Sequence, residues 1–87
     1  MSYTVQGTII HVGEITEHGA SGFTKREFVI ETDGDYPQKI KFELVKDKTA
    51  AVDESDNGSR ATVHFDLRGR EYNGNYYTNL NAWKVEI

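Results

Sequence analysis

The feature that most constrains this chain is an Asn-Gly pair set between two runs of alternating apolar and polar residues. Asn73-Gly74 separates "RATVHFDLRGREY" from "NYYTNLNAWKVEI". Both turn residues tolerate positive φ, which a two-residue type I′ hairpin turn demands, so the pair joins two antiparallel strands. The register follows from the turn. Tyr72 faces Asn75, Glu71 faces Tyr76, Arg70 faces Tyr77, Arg68 faces Asn79, Leu67 faces Leu80 and Phe65 faces Ala82. Alternation then puts Phe65, Leu67, Leu80 and Ala82 on a core face, with Arg68, Arg70, Tyr72 and Tyr77 on the other. The apolar alternation fades beyond about Gly69, so the tip is expected to project from the body as an arm.

A period of two runs through most of the rest. "YTVQGTIIHVGEI" (3–15) reads as a first strand, with Val5, Gly7 and Ile9 on one face. Ile10 and Val12 then take over, and this change of phase predicts a bulge near Ile9. Gly7 permits a sharp bend. "TEHGASGF" (16–23) reads as a loop. "TKREFVIET" (24–32) is a second strand with Phe28 and Ile30 inward, and "DGDYP" is a turn. "QKIKFEL" (38–44) is a third strand, with Ile40, Phe42 and Leu44 inward and Lys39, Lys41 and Glu43 outward. "VKDKTAAVDESDNGS" breaks the alternation, its first half a short helix and its second half turn material. The expected fold is therefore all-β: a five-stranded OB-fold barrel with a short helix between strands 3 and 4 and a long strand 4–5 hairpin. A six-stranded sandwich and an SH3-like barrel are the structural alternatives. Residues 1–87 form one domain in this reading, since 87 residues suffice for only one.

Composition narrows the function. A chain of this size buries a modest core, which leaves little room for a deep catalytic cavity. The absence of cysteine excludes a disulfide scaffold and thiolate chemistry. The N-terminus lacks the basic-then-apolar pattern of a signal peptide, and no run approaches a membrane span, so the expected location is cytoplasmic, without a membrane partner. "DESDNG" imitates the start of a calcium loop, but its twelfth position is His64 where a bidentate glutamate belongs. Asn57-Gly58-Ser59 fits a glycosylation sequon, which carries no weight without secretion. His11, His18 and His64 have no metal-ligand spacing. With no phosphate loop, nucleophile elbow or paired carboxylates either, the expectation is a non-enzyme without cofactor, metal or small-molecule substrate.

The net charge of −4 argues against coating nucleic acid by charge alone, yet the charges are segregated. Acids concentrate in "ETDGDY" and "DESD". Cations sit at Lys25-Arg26, Lys39, Lys41, Arg68 and Arg70. Guanidinium groups interleaved with aromatic rings on an exposed β surface suit single-stranded nucleic acid: bases stack on the rings and phosphates take the arginines. Stacking contributes about 1–3 kcal/mol per base. A few such contacts outweigh distant carboxylates screened over about 8 Å. Two other readings stand beside this one. Tyrosine is a good strand former, and Arg–Tyr pairs stabilise hairpins by themselves. An aromatic arm also suits a dimer interface. Phe23 either stacks a base or lids the barrel end. Trp83 faces His64 on the outer surface if the register runs unbroken; a bulge near Ala82 would turn it inward with Val85 and Ile87, and burying an indole favours the second arrangement.

With the strands placed, "FVIET", "YPQKIKFEL" and "HFDLRGREYNGNYYTNLNAWKVEI" resemble the corresponding segments of the bacterial single-stranded-DNA-binding family. "KREFVIETDGDYPQKIKFEL" and "REYNGNYYTNLNAW" more closely resemble a family of short OB-fold proteins of Bacteroidetes-type bacteria and their phages. The broader resemblance implies binding of single-stranded DNA with little sequence preference, in replication, recombination or repair. It puts base-stacking tyrosines at Tyr36 and at Tyr72 and backbone-tracking cations at Lys25, Arg26, Lys39, Lys41, Arg68 and Arg70; Tyr76 and Tyr77 of the hairpin are candidate binding residues beside them. A single small OB domain offers a short site, so a homodimer or homotetramer that lengthens it is expected. The chain departs from that family in having tyrosine where tryptophan is common. It also ends at Ile87, inside the last strand, without the family's acidic tail, so partners are expected to bind the barrel itself. The rival expectation is a protein–protein or oligomerisation module that binds no nucleic acid, and RNA binding is a third.

Overall fold

Period-two alternation closes this chain on itself through one shared strand. A computed structural model describes residues 2–19 and 22–87. Its strands are β1 (Ser2–Val12), β2 (Thr16–His18), β3 (Phe23–Thr32), β4 (Lys39–Val45), β5 (Arg60–Tyr72) and β6 (Asn75–Glu86). The sheet order is β1-β5-β6-β4-β3-β2, and β1 pairs with β3 as well. The first half of β1, Ser2 to Thr8, lies antiparallel to β5, while Gly7 to Val12 lie antiparallel to β3. Five strands thus make a ring, closed between β4 and β6 by one parallel pair, Glu43 with Asn81. This is the OB-fold barrel, with β2 added along the far side of β3.

Gly7 sits where the two pairings of β1 overlap, opposite both Thr32 and Ala61. A Cβ there would lie 2.5 Å from the carbonyl oxygen of Glu31, so no other residue fits without moving the backbone. The expected bulge follows, as a register shift between Ile9 and His11. It lets Ile9 and Val12 both face the core, at 0% and 9% exposure. Ile10 does not join Val12 inside as expected. It is the unpaired extra residue, and it points out. The strand also stops at Val12 rather than Ile15. Gly13 donates its N–H to the Glu27 carbonyl at 2.8 Å, and residues 16–18 return along β3 as β2 where a loop was expected. Ala20 and Ser21 of that expected loop lie outside the described residues.

The core is the set of inward positions read from alternation. Phe28, Ile30, Phe42, Leu44 and Val63 are fully buried. Four rings run through it in sequence: Tyr3 on Phe65 at 5.8 Å, Phe65 against Phe42 at 5.1 Å, and Phe42 on Phe28 at 5.4 Å between centroids. Burying each phenylalanine contributes about 1.5–3 kcal/mol.

The segment between β4 and β5 forms two short 3-10 helices, Lys46–Ala51 and Glu54–Asp56, in place of one helix and a turn. Fully buried Val52 between them plugs the barrel. The acids of "DESD" serve this backbone. Asp53 accepts the Ser55 N–H at 2.8 Å, and Asp56 accepts the Asp53 N–H at 2.9 Å, a reciprocal cap.

The hairpin has the expected register throughout its arm. Asn73 and Gly74 have φ of 53° and 80°, as a type I′ turn requires. One expected core residue is missing: Leu67 is 52% exposed, although its partner Leu80 packs on the core. Among the described residues, β1 pairs with β5 only as far as Ser2 with Asp66, so Leu67 has β6 beside it and no described residue of β1 on its other side. At the other end of the hairpin, a register shift makes Trp83 an extra residue and brings Val85 opposite Val63. The bulge near Ala82 is therefore present, but it turns Val85 inward and leaves both Trp83 and Ile87 exposed. The indole N–H donates to Ser2 Oγ at 3.2 Å, and the ring lies 5.3 Å from that of His64.

Among the described residues, no helix is long and apolar enough to cross a membrane.

Candidate nucleic-acid interface

Alternation sorts the outer positions of the sheet, and barrel closure then brings two sets of them together. On β3 and β4 the outward residues include Phe23, Lys25, Glu27, Glu31, Lys39, Lys41 and Glu43, and on the arm they include Arg68, Arg70, Tyr72, Tyr77 and Asn79. The parallel contact between β4 and β6 sets the base of the arm against the Glu43 end of β4. Between them lies a groove of about 390 Å³, lined by Phe23, Lys25, Glu43, Arg68, Gly69, Arg70, Tyr77 and Asn79.

The two walls differ in charge. Lys25 Nζ lies 3.4 Å from Glu43 Oε2, with the side chains 28% and 14% exposed. Across from them, the Arg70 guanidinium carbon is 5.7 Å from the centre of the Tyr77 ring, a cation–π contact. Among the described residues, neither Arg68 nor Arg70 is within ion-pair distance of a carboxylate. Tyr77 and Tyr72 keep 45% and 63% of their surface open. Planar cations beside open ring faces can hold anions and stack flat groups at once.

The other expected residues are placed differently. Lys41 is 3.5 Å from Glu27, and Lys39 stands opposite Glu31 in the β3–β4 register. Both continue the groove's face along β4, with Lys39 about 13 Å from Glu43 by strand rise. Tyr36, 86% exposed, sits beyond them in the turn between β3 and β4. Two residues stand apart. Arg26 has the inward phase, and its guanidinium donates to the Val52 carbonyl beneath the first 3-10 helix. Tyr76 shares the arm's opposite face with Leu67 and Glu71. Conversely, the groove includes Glu43 and Asn79, which the sequence did not bring into the site, and Phe23, which the sequence left open between stacking a base and lidding the barrel end. For Phe23 the signal was present, a loop aromatic two residues from Lys25. For Glu43 and Asn79 it was absent, because their meeting depends on the β4–β6 closure. On the other side of Lys25, a second depression of about 550 Å³ is lined by His11, Val12, Gly13, Glu14, Thr16 and Glu27.

The carboxyl groups held below their usual range lie elsewhere. Arg60 donates to both oxygens of Asp33, at 2.6 and 2.8 Å, which lowers the Asp33 pKa and raises that of Arg60. The hydrogen bond from His64 lowers that of Glu86. Serine at position 55 does the same for Asp53. The first joins the β3–β4 turn to β5, the second joins β6 to β5, and the third is local to the cap of the second 3-10 helix.

Solved structures with the same fold cover almost the whole chain. The SSB domain of a Synechococcus sp. protein superposes with a TM-score of 0.73 at 17% identity, over 99% of this chain and 93% of that one. Rim1, a mitochondrial single-stranded DNA binding protein of S. cerevisiae, gives 0.73 at 13% identity, over 100% and 94%. The N-terminal domain of PriB from Thermoanaerobacter tencongensis, described as dimeric, gives 0.72 at 16% identity, over 98% and 92%. At such identities the likeness concerns the fold. No curated protein matches the sequence. A family model does match, over residues 4–86, and the chain belongs to that family, DUF3127, described as a domain of unknown function.

Proposed function

We propose that the protein binds single-stranded DNA with little overall sequence preference, along the groove and arm, in replication, recombination or repair in the cytoplasm. The observation that carries this reading is the pair of arginines that have no carboxylate partner among the described residues, interleaved with Tyr72 and Tyr77 on one face of a projecting hairpin. Arg68 and Arg70 take phosphates. Tyr77 and Tyr72 stack bases, and Lys41, Lys39 and Tyr36 extend the path along β4. The fold supports the reading, since proteins of the same architecture are named for single-stranded DNA binding. Assembly of two or four copies would lengthen the site, and the PriB domain of the same fold is described as dimeric.

Fluorescence polarisation of a labelled oligo-dT, at low and at physiological salt, tests this. Binding should be tight at low salt, weaken steeply as salt rises, and quench tyrosine and tryptophan emission. Absence of binding at low salt would end the reading. A second reading, a protein interface on the arm, is favoured by Leu67 and Tyr76, which leave 52% and 80% of their surface open on the arm's opposite face. Light scattering that shows Leu67→Ala breaking an oligomer, with DNA binding absent, would support it.

A further inference from the structure

One side chain in the groove works against general phosphate binding. Glu43 is a carboxylate in the groove between the sheet and the arginine arm, with its side chain 14% exposed. A negative group there weakens attraction for every strand, whatever its sequence. Nor is it an ordinary member of the surface ladder of lysines and glutamates. The comparable Lys41–Glu27 pair on the same face is open to solvent, with exposures of 61% and 39%. The Lys25–Glu43 pair lines one groove together with Phe23, Tyr77 and the arm residues Arg68 and Arg70.

Such a site matches a flat ligand that brings its own N–H donors. Glu43 offers only acceptors, in a planar pair, and Lys25 beside it offers only donors. Resting on the single-strand reading above, we propose that Lys25 and Glu43 read the Watson–Crick edge of one guanine, stacked on Tyr77 or Phe23. Guanine carries two adjacent donors, N1–H and the N2 amino group, which a carboxylate accepts bidentately. Its neighbouring O6 accepts from the Lys25 ammonium. Cytosine and adenine offer the carboxylate one amino group each. Thymine flanks its one N–H with two carbonyl oxygens and turns them towards Glu43. The arm then stacks bases indiscriminately, while this one position selects. A pairing of this quality is worth about tenfold in affinity.

The test uses a labelled thymine strand, the same strand with one central guanine, and a third with hypoxanthine, which lacks the N2 amino group, at that position. The guanine strand should bind about tenfold tighter than the all-thymine strand, and hypoxanthine should lose most of that gain. Glu43→Gln, folded by thermal melting, should bind all-thymine DNA more tightly than the wild type does and bring the guanine and thymine strands within about twofold of each other. Equal affinity of the wild type for the guanine and thymine strands, with Arg70→Ala weakening both, would overturn base reading while leaving the arm as the binding site. A guanine preference that survives Glu43→Gln would overturn the assignment to Glu43. Failure of every strand to bind at low salt would overturn the single-strand reading and this one together.

Discussion

Two hairpins of this barrel carry cations and tyrosines on the same outer surface, and they use them differently. In the β3–β4 hairpin each lysine has a carboxylate across or diagonal to it: Lys25 with Glu43, Lys41 with Glu27, Lys39 opposite Glu31. That surface is neutral in sum, and its charges hold register. In the β5–β6 hairpin Arg68 and Arg70 share their face with Tyr72, Tyr77 and Asn79, and Glu71 points to the other side. Counting basic residues would rank the first hairpin as the better nucleic-acid surface. Pairing reverses the order, because a cation already neutralised must give up its partner before it takes a phosphate.

The largest expected effect tests that reversal directly. Replacing Arg68 and Arg70 together by alanine should weaken oligo-dT binding by about a hundredfold at low salt and flatten the log–log salt dependence by about 1.4, two phosphates at roughly 0.7 each. Titrations at several salt concentrations read both. Tyr77→Ala should lose about 1–3 kcal/mol of binding, a stacked base, whereas Tyr76→Ala on the opposite face should lose far less; equal losses would break the assignment of faces. Arg26→Ala should lower folding stability by about 1–2 kcal/mol in a denaturant melt, because the Val52 carbonyl loses its donor, and should leave the salt slope intact. Lys41→Ala should change binding by less than about threefold, since an exposed pair contributes little. The smallest effect concerns acid stability. Arg60 depresses the Asp33 pKa below 3.8, so the pair's contribution is present above that value and fades as pH falls through the lower folded-state value. Asp33→Asn should therefore produce a small drop in melting temperature near neutrality that disappears in strong acid.

Much of this architecture was legible in the chain. Asn73-Gly74 fixed the hairpin and every pair of its arm, because a two-residue turn leaves no freedom of register. The alternation of Phe28, Ile30, Phe42 and Leu44 identified the core, and the change of phase at Ile9 marked the bulge. What local pattern does not encode is where one strand ends against another. Leu67 alternates like a core residue but is open: among the described residues, β1 pairs with β5 only as far as Asp66. Arg26 looked like half of a basic pair with Lys25, yet adjacent strand residues face opposite ways, and only Lys25 reaches the groove. Glu43 and Asn79 came together through barrel closure, a contact between segments far apart in sequence.

That closure has a dynamic side. Every other join in the ring is a ladder several residues long, while the one between β4 and β6 is a single pair of residues, Glu43 with Asn81, immediately beneath the groove. Cooperative units of a protein open in order of the bonds that hold them, and the shortest ladder gives way first. Amide protons along the facing edges of β4 and β6 should therefore exchange with solvent ahead of those in β1 and β3, while Phe42 and Phe65 still hold the two halves in contact. A bound strand lying across both lips would staple this join. Slower exchange there on adding DNA, with little change at the far side of the barrel, would be the kinetic signature of a ligand that seats on the barrel's weakest line and locks it.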